Sequence, residues 1–247
     1  MNHWIEGHPS GLAAVGLAVL AASANVFGAV VITVKRQWST RGLELLLALS
    51  AGFMLSVAIA DLIPEAVVRG GRPAGGVILL GFLLVHVTQH VFVRHFHFGQ
   101  KTHVVGRGVA VSALIGLLLH TLIDGVAISS ALRVDLRFGA LVFGAIALHK
   151  LSEGVAISSL VLATGGSRRS AVGAATLLGA VSLLGVCLTE ATPSLATHGL
   201  ALAGGVTVYV GASNLIPEFQ GKSGWYHSAA FLLGCVLYQA VAAFGSR

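Results

Sequence analysis

Charged residues are scarce in this chain. They make up 10% of its 247 residues, whereas a soluble domain carries about 25%. Hydrophobic residues make up 55%, the mean hydropathy is +0.88, and only five prolines interrupt the apolar runs. This composition excludes an ordinary soluble domain and predicts a polytopic membrane protein.

Cysteine is also scarce, since Cys187 and Cys235 are the only two and both lie in apolar runs. They form neither a disulfide framework nor a CxxC metal motif, so we expect packed free thiols. The net charge of +6 is spread over short loops, which argues against nucleic-acid binding. No GxxxxGK[ST] motif is present to bind a nucleotide. No Lys or Arg precedes the first apolar run, so we expect a retained span and no cleaved signal.

Eight apolar runs are long enough to cross a bilayer as helices, which takes about 20 residues each. The gaps between them are short and hold Gly, Pro, Ser or charge, as turns do. We therefore expect one all-α transmembrane domain over residues 1–247, with no second domain. The predicted spans are approximately 10–34, 43–67, 75–93, 108–131, 138–163, 170–189, 198–217 and 226–245.

Loop lysines and arginines predict the orientation of the bundle, because they are enriched on the cytoplasmic side. With the N-terminus outside, more of them face the cytoplasm than the exterior, so both termini are expected outside; the opposite orientation is the alternative. The inner set is Lys35, Arg36, Arg41, Arg94, Lys101, Arg107, Arg168, Arg169 and Lys222. The outer set is Arg69, Arg72, Arg133, Arg137 and Arg247.

One motif occurs twice, as HTLIDGVAISS at 120–130 and HKLSEGVAISS at 149–159. In each copy a histidine is followed four residues later by a carboxylate, and residues four apart share a helix face. The two copies lie on the consecutive, antiparallel fourth and fifth spans, so their polar faces can meet in mid-membrane. Intramembrane acids mark ion pathways, and nitrogen and oxygen ligands suit Zn²⁺, Fe²⁺ or Mn²⁺. The alternative is that each histidine is a hydrogen-bonded structural group.

The two motifs resemble the paired signatures on helices four and five of the ZIP (Zrt/Irt-like) divalent-metal transporters. The family is known for eight helices, outside termini and a metal site on those two helices, so the resemblance covers nearly the whole chain in organisation. It implies that the primary metal ligands are His120, Asp124, His149 and Glu153.

The activity expected from the resemblance is uptake of a divalent transition metal (Zn, Fe, Mn, Co or Cd) by alternating access. The expected location is the plasma membrane or a bacterial inner membrane. The expected partners are the metal, membrane lipid and, as one possible assembly, a second copy of the chain. We expect no fixed cofactor.

Two positions depart from the family pattern. Many members hold a second metal, using a polar residue just after the first histidine and an acid or amide just after the second. Thr121 and Lys150 occupy those places here. A hydroxyl is a poor ligand and an ammonium repels a cation, so we expect one metal. Lys150 is expected to pair with Asp124 or Glu153; the alternative is a snorkelling lysine.

A second short motif also recurs, as DLIPE at 61–65 and NLIPE at 214–218. It closes the second and seventh spans, which run in opposite directions, so its copies lie at opposite mouths of the bundle. This predicts an inverted repeat of spans 1–3 and 6–8 around spans 4–5. Pro64 and Pro217 are expected to break their helices; a generic helix stop is the alternative reading. The predicted outer entrance residues are Asp61 and Glu65, and the predicted inner exit residues are Asn214 and Glu218.

Histidines cluster from the end of the third span into the loop 94–107, which the predicted orientation places in the cytoplasm. They could capture a released metal weakly, or they could be incidental to an interfacial segment. These residues are His86, His90, His95, His97 and His103. Glu190, at the end of the sixth span, is expected to be an interfacial acid, and Met54 is expected to pack in the core.

Two other functions use the same residue types. An intramembrane metallohydrolase could activate water on a bound metal, although such enzymes usually read HExxH, with an acid where Lys150 or Thr121 stands. A haem-binding electron carrier could use paired histidines, but it needs no neighbouring acids. Metal flux into liposomes would separate a transporter from the hydrolase.

Overall fold

The computed structural model describes residues 9–34, 40–92, 107–220, 222 and 224–245. Within these ranges the regular structure is entirely helical. The α-helices are α1 (Pro9–Val34), α2 (Thr40–Val57), α3 (Ile63–Gly70), α4 (Ala74–Val87), α5 (Arg107–Leu132), α6 (Leu136–Ala163), α7 (Arg168–Ala191), α8 (Pro193–Tyr209), α9 (Ile216–Phe219) and α10 (Tyr226–Gly245). Three π-helical segments continue α2, α4 and α8, at Ala58–Leu62, Thr88–Phe92 and Val210–Leu215.

Seven helical spans in the described residues are long and apolar enough to cross a membrane. The third predicted span, 75–93, corresponds to a shorter apolar helix, Ala74–His90. The protein is therefore an integral membrane protein, as the composition predicts. Because only Thr192 separates α7 from α8, the seventh span begins at Pro193, earlier than the predicted position 198. Proline is well tolerated in the first turn of a helix, where its missing N–H has no partner to lose.

The second and seventh spans continue through their prolines, so the prediction that Pro64 and Pro217 break the helices is wrong. In the second span, the Ile63 N–H donates to the Ala58 carbonyl, which is the hydrogen bond of a π-helix. The seventh span has the same arrangement just before Pro217. The wider turn leaves room for the proline ring, which in an α-helix would clash with the carbonyl four residues earlier.

Glycines set the closest helix crossings. At four crossings, each of the two helices contributes one glycine. A Cβ added to either glycine would overlap a backbone carbonyl of the other helix, three residues before that helix's own glycine. Such contacts bring two helix backbones together without side chains between them. The glycine pairs are Gly28 with Gly154 (α1–α6), Gly125 with Gly185 (α5–α7), Gly52 with Gly234 (α2–α10) and Gly81 with Gly205 (α4–α8).

These crossings position the repeated motif. Gly125 and Gly154 directly follow the two motif acids, and each lies where its helix touches a neighbour. Helices α5 and α6 are joined by a short turn, in which the Asp135 side chain accepts a hydrogen bond from the Phe138 N–H at 2.8 Å. The antiparallel pair therefore carries its two motifs at similar depth, packed against α1 and α7.

Candidate metal site

The two motif histidines meet between α5 and α6. His120 Nε2 lies 2.8 Å from His149 Nε2, and the residues are only 5% and 6% exposed. Each histidine lies near the middle of its helix, in the 26-residue α5 and the 28-residue α6. The Nδ1 atoms of both rings are buried and have no hydrogen-bond partner among the described residues.

Glu153 completes a group that could hold a metal. One ligand atom each from His120, His149 and Glu153 lie within 4.8 Å of one another, and all three residues are buried. Two imidazole nitrogens and a carboxylate oxygen are the donor set of many divalent transition-metal sites. The buried surroundings remove competing water, so an ion here has to exchange most of its hydration for protein ligands.

Asp124 lies beside this group and is not part of it. Its Oδ2 is 3.5 Å from His120 Nε2 but only 2.7 Å from Lys150 Nζ. The structure thus brings three of the four sequence-predicted ligands together and places the fourth against the lysine.

Lys150 is fully buried and contacts both carboxylates. Its Nζ lies 2.7 Å from Asp124 Oδ2 and 2.8 Å from Glu153 Oε2, and it donates to Thr121 Oγ1 at 2.9 Å. Thr121 in turn donates to Glu153 Oε1 at 2.8 Å. With two carboxylates and one ammonium, the cluster carries a formal charge of −1 when both histidines are neutral.

Asn25 of α1 also reaches the site, which the sequence analysis missed. It is 0% exposed, and its Nδ2 donates to Glu153 Oε2 at 3.3 Å. The available signal was an amide side chain inside the first apolar run, where polar groups are uncommon.

A cavity of about 310 Å³ leads away from the site. It starts at His120, His149 and Glu153 and reaches the end of the bundle where α2 begins and α6 ends. Asn214 and Glu218, the predicted exit residues, line it.

The mouth of this cavity carries further charge. Glu44 and Lys222 line it and form an ion pair at 2.5 Å. The second oxygen of Glu44 lies 3.0 Å from Nε2 of the buried His227.

The predicted entrance residues lie outside the cavity lining. Asp61, in the π-helical segment, accepts a hydrogen bond from the Tyr238 hydroxyl at 2.9 Å. Glu65 pairs with Arg69 one turn later, at 2.5 Å. Both are at the end of the second span opposite the cavity mouth.

Glu190 and Met54, the remaining residues considered in the sequence, both lie away from the candidate metal site. Glu190 accepts from Ser129 Oγ at 2.7 Å and pairs with Arg133 at 2.6 Å, near the α5 end that faces away from the cavity. Met54 is 1% exposed and belongs to the apolar core.

The described part of the histidine cluster is exposed. The rings of His86 and His90 stack with centroids 4.2 Å apart, and the Tyr209 hydroxyl lies 3.4 Å from His90 Nδ1. The following residues of the predicted inner loops lie outside the described residues: His95, His97, His103, Lys35, Arg36, Arg94 and Lys101.

A bundle of apolar spans around a buried group of imidazole and carboxylate ligands defines an integral membrane protein suited to divalent metal ions. The family model described as ZIP Zinc transporter matches residues 99–242, which is more than half of the chain. The chain belongs to this family and is a metal transporter, not an enzyme, so the resemblance found in the sequence is confirmed. No individual curated protein matches the chain.

Proposed function

We propose that this ZIP-family protein imports one divalent transition-metal ion at a time through a mid-membrane site. The ligands would be His120, Asp124, His149 and Glu153. The observation that carries the proposal is the buried convergence of His120, His149 and Glu153 within 4.8 Å. Asp124 would bind the ion once its carboxylate has released the Lys150 ammonium.

A single ion per site is supported by Lys150. Its ammonium lies between the two carboxylates, 2.7 Å and 2.8 Å from their nearest oxygens. A second divalent ion beside the first would have to displace this buried charge. Thr121 offers only a hydroxyl, already donated to Glu153.

Alternating access by inverted repeats is supported by paired features of the two halves. The second and seventh spans each contain a π-helical segment followed by Ile-Pro-Glu. The α1–α6 and α5–α7 crossings use glycines in matched positions, and so do the α2–α10 and α4–α8 crossings. An axis in the membrane plane that exchanges spans 1–3 with spans 6–8, and span 4 with span 5, would relate all of these pairs.

Transport toward the cytoplasm follows if both termini are outside, as the loop charges predict. The cavity then opens to the cytoplasm, with Asn214 and Glu218 on the exit path. Asp61 and Glu65 would gather ions at the outer entrance, and the histidines from His86 onward would receive released metal. The membrane would be the plasma membrane or a bacterial inner membrane, and a homodimer stays a prediction.

Uptake by purified protein in liposomes that contain a metal-sensitive dye tests the proposal. The parent protein is expected to admit Zn²⁺, whereas His149→Ala and Glu153→Ala insert normally and admit none. Ser50→Ala, which changes a buried polar residue outside the cavity lining, is the control. Competition among Zn²⁺, Fe²⁺, Mn²⁺, Co²⁺ and Cd²⁺ identifies the preferred metal. Parent vesicles impermeable to all five ions would refute the proposal.

Sidedness is tested separately by labelling single cysteines in sealed cells with a membrane-impermeant maleimide. In a background without Cys187 and Cys235, Arg72→Cys should be labelled from outside and Lys222→Cys should not. The reverse pattern would overturn the predicted orientation and, with it, the direction of transport.

A further inference from the structure

Among the described residues of α1, only Asn25 makes a hydrogen bond to the metal site. It is 0% exposed, and its side chain donates to Glu153 Oε2 at 3.3 Å. We propose that Asn25 is a positioning residue, which holds the Glu153 carboxylate in the orientation that binds the metal. The inference rests on the proposed role of Glu153 as a ligand.

Three donors surround the Glu153 carboxylate, and they differ in what an arriving cation does to them. Thr121 donates a hydrogen bond to Oε1 at 2.8 Å. Oε2 accepts hydrogen bonds from Lys150, at 2.8 Å, and from Asn25. A divalent ion repels the ammonium of Lys150. The amide of Asn25 is neutral, so it can keep its hydrogen bond while the carboxylate binds the ion.

The α1–α6 crossing fixes Asn25 at this position. A Cβ on Gly154, the residue after Glu153, would overlap the backbone carbonyl of Asn25 and approach its Oδ1. The backbone of α1 therefore lies against α6 beside the carboxylate, and Asn25 reaches Glu153 with a short side chain. A displacement of α1 would be transmitted to Glu153 through this contact.

The equivalent position of the other crossing provides a comparison. The backbone carbonyl of Ser182 in α7 packs against Gly125 in the same way that the backbone carbonyl of Asn25 packs against Gly154. Ser182 is also fully buried, but its hydroxyl donates to the Thr121 backbone carbonyl at 3.1 Å and not to Asp124. Only the α1 crossing extends a side-chain donor to a motif carboxylate in the part of the chain described.

A role in stability alone does not account for Asn25. Its Oδ1 is buried and has no hydrogen-bond partner among the described residues. Burying an unpaired amide oxygen is unfavourable, so an apolar residue would fit the helix interface better. The asparagine is therefore explained by what its Nδ2 does for Glu153.

The test is Zn²⁺ binding by equilibrium dialysis of the purified full chain, with thermal unfolding of the metal-free protein measured alongside. Asn25→Ala is expected to weaken Zn²⁺ binding about tenfold. Asn25→Leu keeps a branched side chain without the hydrogen-bond donor and is expected to weaken Zn²⁺ binding to a similar extent. This variant replaces Asn25→Ala if the alanine variant fails to fold. Ser182→Ala is the matched control and should stay within about twofold of the parent.

A double variant distinguishes a positioning role from general destabilisation. Asn25→Ala added to Glu153→Ala should change Zn²⁺ binding by less than about twofold, because the group it positions is gone. Full additivity, or parent-like affinity in Asn25→Leu, would overturn the inference. If Glu153→Ala itself binds Zn²⁺ like the parent, the ligand assignment of the proposed function fails instead.

Discussion

Replacing Lys150 by methionine is expected to tighten Zn²⁺ binding and to destabilise the metal-free protein. The ammonium is 0% exposed and lies 2.7 Å and 2.8 Å from the Asp124 and Glu153 carboxylates. Methionine keeps the unbranched shape of the side chain but leaves two carboxylates without a cation. A divalent ion then supplies the missing charge.

The magnitude follows from these distances. Removing one partner of a buried ion pair costs about 3–5 kcal/mol, so the unfolding free energy of the metal-free variant should fall by that order. An ion on Glu153 would lie about 5 Å from Nζ, where +2 and +1 charges repel by about 7 kcal/mol at an effective dielectric constant of 20. Movement of Lys150 relieves much of this repulsion. We therefore expect Kd to fall about 10- to 100-fold.

The assay is calorimetric titration of detergent-purified protein with Zn²⁺, together with thermal unfolding with and without the ion. Arg133→Met is the control, since it breaks the ion pair with Glu190 at a distance from the ligands and should leave Kd unchanged. A Lys150→Met protein that binds Zn²⁺ no more tightly than the parent would contradict the idea that the ammonium competes with the metal.

Three further predictions use the same preparations. Lys150→Asp should raise the number of Zn²⁺ ions bound from one to two in calorimetry, and a count of one would refute our account of Lys150. Gly154→Ala should lower the melting temperature, at a cost of about 1–3 kcal/mol, because its Cβ meets the α1 backbone; Gly173→Ala, whose Cβ meets open space, should be neutral or stabilising. The double change His95→Ala with His97→Ala should leave uptake into liposomes largely intact, and loss of uptake would show that these histidines are essential.

The spans were predictable because a bilayer imposes a minimum length on apolar helices. Each run found in the sequence corresponds to a helix, and most boundaries agree within a few residues. The behaviour at proline was not predictable from propensity. From the local sequence alone, Pro64 is expected to destabilise a helix. In the structure, the π-helical hydrogen bond from the Ile63 N–H to the Ala58 carbonyl accommodates the proline.

The residues of the candidate site that belong to the repeated motif were predictable from the sequence. Asn25, which lies outside the motif, was not. The spacing in each motif places the histidine and acid on one face, and the antiparallel turn brings His120 to His149. The contact between Asn25 and Glu153 joins residues 128 positions apart. It depends on how α1 crosses α6, which a lone amide in an apolar run does not encode.

The glycine crossings have a mechanical consequence. Where two backbones touch directly, as at Gly28 with Gly154, sliding one helix along the other drives carbonyl oxygens into Cα atoms. Between α5 and α8, Gly199 instead faces the side chains of Val126 and Ser130, which can yield by changing rotamer. We therefore expect sliding between α5 and α8 to be easier than sliding within the four glycine-paired crossings. An ion held between α5 and α6 would then move together with α1 and α7.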